Sequence, residues 1–356
     1  MTKRKVLFGP FIGEFGWELL FWQGWVLKEC RENYQDFHKI ACSFPGRKPF
    51  YPDVDEFIDI PEWYINLKPS CHAYYTDGWK NGLPGTLEKI NDFSPRGIIR
   101  AFRLKQWPPT KKKELPFDGL NFHSEAEKLL SELTKEFNEN DLVITPWKKN
   151  LKKDFGLDFG IFLENKEIPS YKKKYIYEIP FTHQTLEKIR PTSNGQNLFK
   201  KIHTNNQKII AIFPRSRFFR RQDKNWSLDK YLKLIKILQN KFPNEKIAIF
   251  GEPGGAYFSD CVPENCIDLI NIDPKNRMDI QIAALQNSLF ALGSMSGAIL
   301  VALASGTPSL TWGFLNEQLR YHRENFLGTK FIYHSDIDPS VETISEYVDL
   351  LIRMGK

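Results

Sequence analysis

Three groups of residues in this sequence could act on a phosphorylated substrate. The first is the turn Gly293-Ser294-Met295-Ser296-Gly297, between the apolar segments 289–292 and 298–304. It places hydroxyls and unhindered backbone N–H groups at the start of a helix, where four N–H groups lack intrahelical partners and the dipole favours negative charge. Such a turn can hold phosphate. Equally, Gly and Ser can serve packing alone at a tight strand–helix junction. The second group is the segment 215–224, which carries Arg215, Arg217, Arg220, Arg221 and Lys224. Arginine can grip phosphate through two parallel hydrogen bonds and lysine acts as a point charge. Together they suit neutralising charge on a departing diphosphate, although a patch facing nucleic acid or lipid would use the same residues.

The third group is Glu14 and Glu18, set among Phe, Trp and Leu just after the first apolar segment. A carboxylate near a helix start can merely complement the dipole, worth about 0.3–1 kcal/mol. Against apolar walls its pKa rises, which suits a general base. Glu252 follows the segment 246–250, and Trp312 ends the segment 309–312. Trp312 at a strand end could stack on a base, or pack in the core. His72, His183 and His322 have no partner at metal-ligand spacing. Asp53-Val54-Asp55 has the spacing of a metal-binding acid pair but precedes a strand, where it reads as a loop cap. Five cysteines without CxxC spacing point to neither a disulfide framework nor a zinc site. No metal and no cofactor is therefore expected.

The elements that must position these residues alternate between the two periodicities. Strands are predicted at 5–9, 39–43, 56–60, 142–145, 175–179, 208–213, 246–250, 266–270, 289–292, 309–312 and 331–333. Helices are predicted at 19–27, 96–105, 123–137, 228–238, 278–287, 298–304 and 341–354, with Ser227 as an N-cap and Gly306 and Pro308 ending the helix after the Ser-rich turn. Alternating strands and helices argue for parallel sheets. Both Glu14 and the Ser-rich turn then lie beyond the carboxyl ends of strands, where ligands of open α/β sheets bind. The polar stretch around 182–206 reads as a linker, giving an N-terminal Rossmann-like domain (1–185), a linker (186–206), a C-terminal Rossmann-like domain (207–337) and a terminal helix (338–356) packing back on the first domain.

The chain is long enough for two domains, with 41% hydrophobic and 26% charged residues. No apolar run is long enough to cross a bilayer. The basic start is followed by an apolar segment of strand length only, so a secretory signal is not expected and a reducing cytoplasm is. A net charge of +7 favours anionic partners. No nucleic-acid-binding pattern is present, so nucleic acid is not an expected partner. The basic region 96–113 would permit peripheral contact with an anionic membrane.

The C-terminal half resembles the nucleotide-sugar domain of GT-B glycosyltransferases, above all the lipopolysaccharide heptosyltransferase (ADP-heptose transferase) group. The resemblance rests on the segment 209–217 with Lys224-Asn225-Trp226-Ser227, on the turn 250–255, and on 294–313, where Ser296, Gly297, Gly306, Pro308 and Gly313 match. Met295 and Leu300 stand where that group has Asp and His. The resemblance implies two Rossmann-like domains facing a central cleft, and a nucleotide-diphosphate sugar as donor substrate. It implies inverting, metal-independent transfer to a glycan or glycolipid hydroxyl. Glu14, or Glu18 in its place, would be the base. Arg215, Arg217, Arg221, Lys224, Ser294, Ser296 and Gly297 would hold the diphosphate, and Glu252 and Trp312 would border the nucleoside. Two other functions remain open: a sugar-nucleotide epimerase or hydrolase, and a non-catalytic basic anion-binding protein.

Overall fold

The computed structural model describes residues 3–12, 15–66, 87–91, 93–104, 108–114, 122–147, 159–163, 166–167, 181–205, 207–217 and 222–354. Glu14, Arg220, Arg221, His72 and the predicted strand 175–179 lie outside the described residues.

The N-terminal half is built on strands β1 (Lys5–Phe8), β2 (His38–Ser43), β3 (Glu56–Asp59), β6 (Leu142–Trp147), β7 (Phe159–Leu163) and β8 (Lys166–Glu167), in the order β3-β2-β1-β6-β7-β8. The first four are parallel, and β7 and β8 turn back antiparallel. A separate hairpin joins β4 (Leu87–Asn91) to β5 (Thr110–Glu114). The C-terminal half holds β9 (Ile209–Phe213), β10 (Lys246–Ile249), β11 (Cys266–Asp268), β12 (Ser288–Ser294), β13 (Ser309–Trp312) and β14 (Phe331–His334). All are parallel, in the order β11-β10-β9-β12-β13-β14. This is the doubly wound order, and its direction reverses between β9 and β12. A parallel sheet covered on both faces needs unbroken apolar strands, and all five residues of β9 are buried.

The helices are α1 (Phe15–Trp17), continued by a π-helical turn (Glu18–Trp22) into α2 (Gln23–Glu32), then α3 (Glu62–Ile65), α4 (Pro95–Leu104), α5 (Phe122–Leu133), α6 (Ser193–Ile202), α7 (Leu228–Lys241), α8 (Pro274–Gln286), α9 (Gly297–Ala304), α10 (Gln318–Glu324) and α11 (Val341–Arg353). Ser227 caps α7 by accepting from the Lys230 N–H. The buried face of α7 is Tyr231, Leu234, Ile235 and Leu238, while Leu228 and Leu232 stay exposed at its margin. Helix α8 starts four residues earlier than predicted, because Asp273 caps it and Pro274 suits its first position. Helix α5 stops at Leu133, where Thr134 turns its hydroxyl back onto the Leu130 carbonyl (2.9 Å). Within the polar stretch 186–206 the chain forms α6, capped by Thr192 and packed on α8 through Asp279, which accepts from the Thr192 N–H at 2.7 Å.

Residues 299–304 of α9 are all buried, as a helix apolar all round requires. It lies on β12 and β13, with α8 beside it and α1 at its start. It ends in a Schellman arrangement, with Gly306 at φ +73° donating to the Leu303 carbonyl (3.0 Å) and Thr307 donating to Ala302 (2.9 Å). One hydrophobic cluster runs through both halves, joining Phe8, Trp22 and Trp25 to Ile299 and Leu303. A second, around Trp226, Tyr231 and Trp312, belongs to the C-terminal half.

The strand ends of the two sheets meet. A Cβ placed on Gly46, in the loop after β2, would lie 2.6 Å from the Pro274 carbonyl at the start of α8. A Cβ placed on Gly297 would lie 3.7 Å from Gly16 in α1. Gly293 is the tightest link inside the C-terminal sheet. It pairs with Phe213, and a Cβ there would approach the Phe213 carbonyl oxygen to 2.7 Å. Gly293→Ala should therefore lose about 1–3 kcal/mol by overpacking. The denaturation midpoint should fall at unchanged slope, and an unchanged midpoint would contradict the tight fit.

Candidate functional site

The reversal between β9 and β12 is where a doubly wound sheet leaves a crevice. From β9 the chain runs into Pro214-Arg215-Ser216-Arg217, and from β12 into the turn that starts α9. Arg215 is buried and donates to the Asn225 side-chain oxygen. Asn225 also accepts from the Arg217 N–H (3.1 Å) and donates to the Arg217 carbonyl (2.9 Å). One side chain thus fixes the loop and its first arginine. Burial, and then the neighbouring Arg217 charge, push the Arg215 pKa down to about 10, which leaves it charged at neutral pH. The loop leans on the β10 exit, where Ser216 donates to the Gly255 carbonyl (3.0 Å) and Tyr257 donates to Pro214 (2.7 Å). Glu252 is exposed on that exit, just after Gly251.

On the β12 side the two serines part company. Ser294 is fully buried, and its N–H donates to the Tyr231 hydroxyl (3.3 Å), which in turn lies 3.3 Å from the Phe213 carbonyl and 3.4 Å from the Ser294 hydroxyl. Ser294 therefore ties β12 to β9 inside the core, and the expectation that it touches a diphosphate is corrected. Ser296 takes the N-cap position of α9, yet its hydroxyl makes no cap bond. That oxygen is buried and has no hydrogen-bond partner among the described residues. An N-cap serine ordinarily accepts from the first turn; here the hydroxyl is left without that partner. The Ser296 carbonyl is held by the Tyr321 hydroxyl (3.1 Å). Met295 is buried, with its sulfur 3.4 Å from the Phe314 N–H.

Lys224 ends a short turn, with its ammonium 3.7 Å from Glu317. Glu317 also meets Arg320 (3.3 Å), which pairs with the buried Glu324 (2.6 Å). This chain of charges ties Lys224 to the helix whose Tyr321 supports Ser296. Trp312 is a second correction. It is fully buried, 4.9 Å from Trp226 and 6.2 Å from Tyr231, so it packs the core and has no face for a base.

On the N-terminal side, Phe15 and Gly16 stand directly against Gly297. Glu18 is fully buried, and both its oxygens are engaged by Ser43, Tyr51 and Arg47. That geometry fixes a carboxylate in place and offers an acceptor hydroxyl no approach. Among the described residues no cluster of His, Cys, Asp and Glu has the makings of a metal site. The structure thus brings together Gly297 and Gly16 across the junction, and Arg215 and Arg217 around Asn225 on the neighbouring strand exit. Asn225, Tyr231 and Tyr321 are supports that sequence reasoning did not assign. Asn225 could have been found, since it lies inside the Lys-Asn-Trp-Ser stretch; nothing local marks the two tyrosines.

The core assignment of Trp312 has a direct check. Trp312→Ala should cost about 3–5 kcal/mol of stability, read by chemical denaturation. A small stability loss with weakened ligand binding would return Trp312 to the site.

No protein-family model matches the chain, and no curated protein matches it. Among solved structures it is similar to a glycosyl transferase of family 9 from Veillonella parvula, at 11% identity over 99% of this chain and 97% of that one, with a TM-score of 0.53. It is also similar to the E. coli ADP-heptose lipopolysaccharide heptosyltransferase II, at 11% identity over 99% of both chains, with a TM-score of 0.48. What the chain shares with the first of these is its fold: two α/β units with apposed strand ends, the GT-B architecture.

Proposed function

We propose that the chain transfers a sugar from a nucleotide-diphosphate sugar to a hydroxyl of a glycan or glycolipid, by a single inverting displacement. The observation that carries this reading is the start of α9. The Ser296 hydroxyl has no partner among the described residues, buried Arg215 lies on the adjoining strand exit, and the first helix of the other half stands opposite. A diphosphate supplies the charge such a place lacks. The fold shared with a glycosyl transferase is in keeping with it, at the level of architecture.

In this reaction the diphosphate lies on Ser296 and Gly297, with Arg215, Arg217, Arg221 and Lys224 neutralising it. Glu252 on the β10 exit accepts from the ribose hydroxyls. Glu14, one residue before Phe15 in the chain, takes the proton of the acceptor hydroxyl. The acceptor oxygen attacks the anomeric carbon, the bond to the phosphate oxygen breaks, and the nucleoside diphosphate leaves with the electron pair. Fixed cations and a helix dipole stabilise the developing charge, so no divalent ion is called for.

The acceptor side is served by α4. Helix α4 carries Arg96, Arg100 and Arg103 and no acidic residue, and Phe93 just before it, Ile99 and Phe102 are 59%, 55% and 73% exposed. An amphipathic basic helix of this kind suits the interface of an anionic membrane. No described helix is long and apolar enough to cross one. A peripheral protein should sediment with anionic vesicles at low salt and not with zwitterionic ones, and Phe102→Ser should weaken that binding. Equal binding to both vesicles would remove the membrane from the reading.

The donor is tested by thermal shift with UDP-, GDP-, ADP- and CDP-sugars without metal. A ligand at 100 times its Kd adds about 2.7 kcal/mol, so one of the four should raise the midpoint clearly. Ser296→Ala and Lys224→Ala should abolish the rise, and Glu14→Gln should keep it while turnover falls by about 10²–10⁴-fold. Donor consumed without acceptor would point to an epimerase or hydrolase. Flat melts with salt-dependent binding of polyanions would point to a non-catalytic protein.

A further inference from the structure

The N-terminal half holds a charged cluster that this reading leaves unexplained. Glu18 lies in the π-helical turn, fully buried, and its Oε1 accepts from the Ser43 hydroxyl and from Tyr51 (2.6 Å). Burial and the Glu18 charge push the Tyr51 pKa up, so Tyr51 remains a donor. The other carboxylate oxygen accepts from the Arg47 guanidinium. That guanidinium lies 5.1 Å from the Phe15 ring and 4.6 Å from the Phe44 ring, held between two aromatic faces. It makes no further hydrogen bond among the described residues. Its side chain is 13% exposed, so it stands at the edge of the junction and not in the core.

The location of Arg47 makes it unusual. The preceding residue, Gly46, is at φ +83° with no room for a side chain against Pro274, the first residue of α8. Phe15, one of its two ring neighbours, lies against Gly297, the first residue of α9. Arg47 therefore follows a residue packed on the start of α8 and lies over a ring that stands against the start of α9. Glu18, which also accepts from Ser43 and Tyr51, answers only one guanidinium edge. A planar guanidinium with a second edge open can take an oxyanion.

We infer that Arg47 is an oxyanion-binding residue that reaches the donor diphosphate from the N-terminal half, with Glu18 as the positioning residue that aims it. The inference rests on the donor reading above. It gives the first domain a direct part in holding the donor, so that donor binding and the apposition of the two halves are one event.

The test is calorimetric titration of UDP, GDP, ADP and CDP into the full chain and its variants. Wild type should bind at least one of the four. Arg47→Gln should bind that nucleotide at least tenfold more weakly, and Arg47→Lys should fall between, keeping the charge but losing the fork. Glu18→Gln should weaken binding severalfold with Arg47 still present. A purely structural role would lower thermal midpoints equally in Arg47→Gln and Arg47→Lys, with nucleotide affinity unchanged in both. Unchanged affinity in folded Arg47→Gln overturns the inference while the donor reading stands. Binding of none of the four nucleotides by wild type overturns both. Should Glu18→Gln fail to fold, Tyr51→Phe loosens the same carboxylate more gently and should give a smaller loss in the same direction.

Discussion

An eight-residue helix, α9, has to meet two demands that ordinarily conflict. Its residues 299–304 are buried all round, which fixes it between its own sheet and the elements of the other half. At its start, nevertheless, the Ser296 hydroxyl is buried without a partner among the described residues. A buried polar group without a partner costs about 1–3 kcal/mol, so this arrangement is stable only if a ligand or water completes it. The start of α9 opens onto Gly16 and Phe15, where the strand ends of both sheets meet. The Schellman turn at Gly306 closes the other end completely, so the imbalance is confined to the start.

Electrostatics at the junction follow from that geometry. Two charges 4 Å apart interact by about 4 kcal/mol at an effective dielectric near 20. Each cation near the site therefore needs a nearby counter-charge or a fixed dipole. Three have one: Asn225 holds Arg215, Glu317 stands by Lys224 and Glu18 holds Arg47. These partners orient the cations without cancelling them all. Arg215 shows the residual tension, for its pKa is pushed down by burial and by Arg217 together.

The parts of this account legible in the sequence are those written in local chemistry. The strands of the C-terminal sheet follow from apolar periodicity, and the end of α9 from Gly306 and Pro308. The start of α7 follows from Ser227, each within a few residues of the side chain that causes it. What could not be read depends on which way a strand-end side chain faces. Ser294 and Trp312 end neighbouring paired strands, and both face the Tyr231–Trp226 cluster, a fact set by helix α7 more than fifty residues away. Glu18 was legible as an acid in apolar company, but its role is not, because its partners lie 25, 29 and 33 residues further along the chain. Helix α6 was hidden by its polar composition; its stability comes from the Thr192 cap and the bond to Asp279 rather than from a broad apolar face.

The central claim is that one anion is shared between the two halves at the start of α9. Hydrogen–deuterium exchange, followed with and without a saturating nucleoside diphosphate, tests it most directly. The account predicts slower exchange at the amides of Gly297 and Ala298 together with those of Gly16 and Arg47, on opposite sides of the junction. Protection confined to one half, or appearing at neither the start of α9 nor the loop after β2, would contradict it.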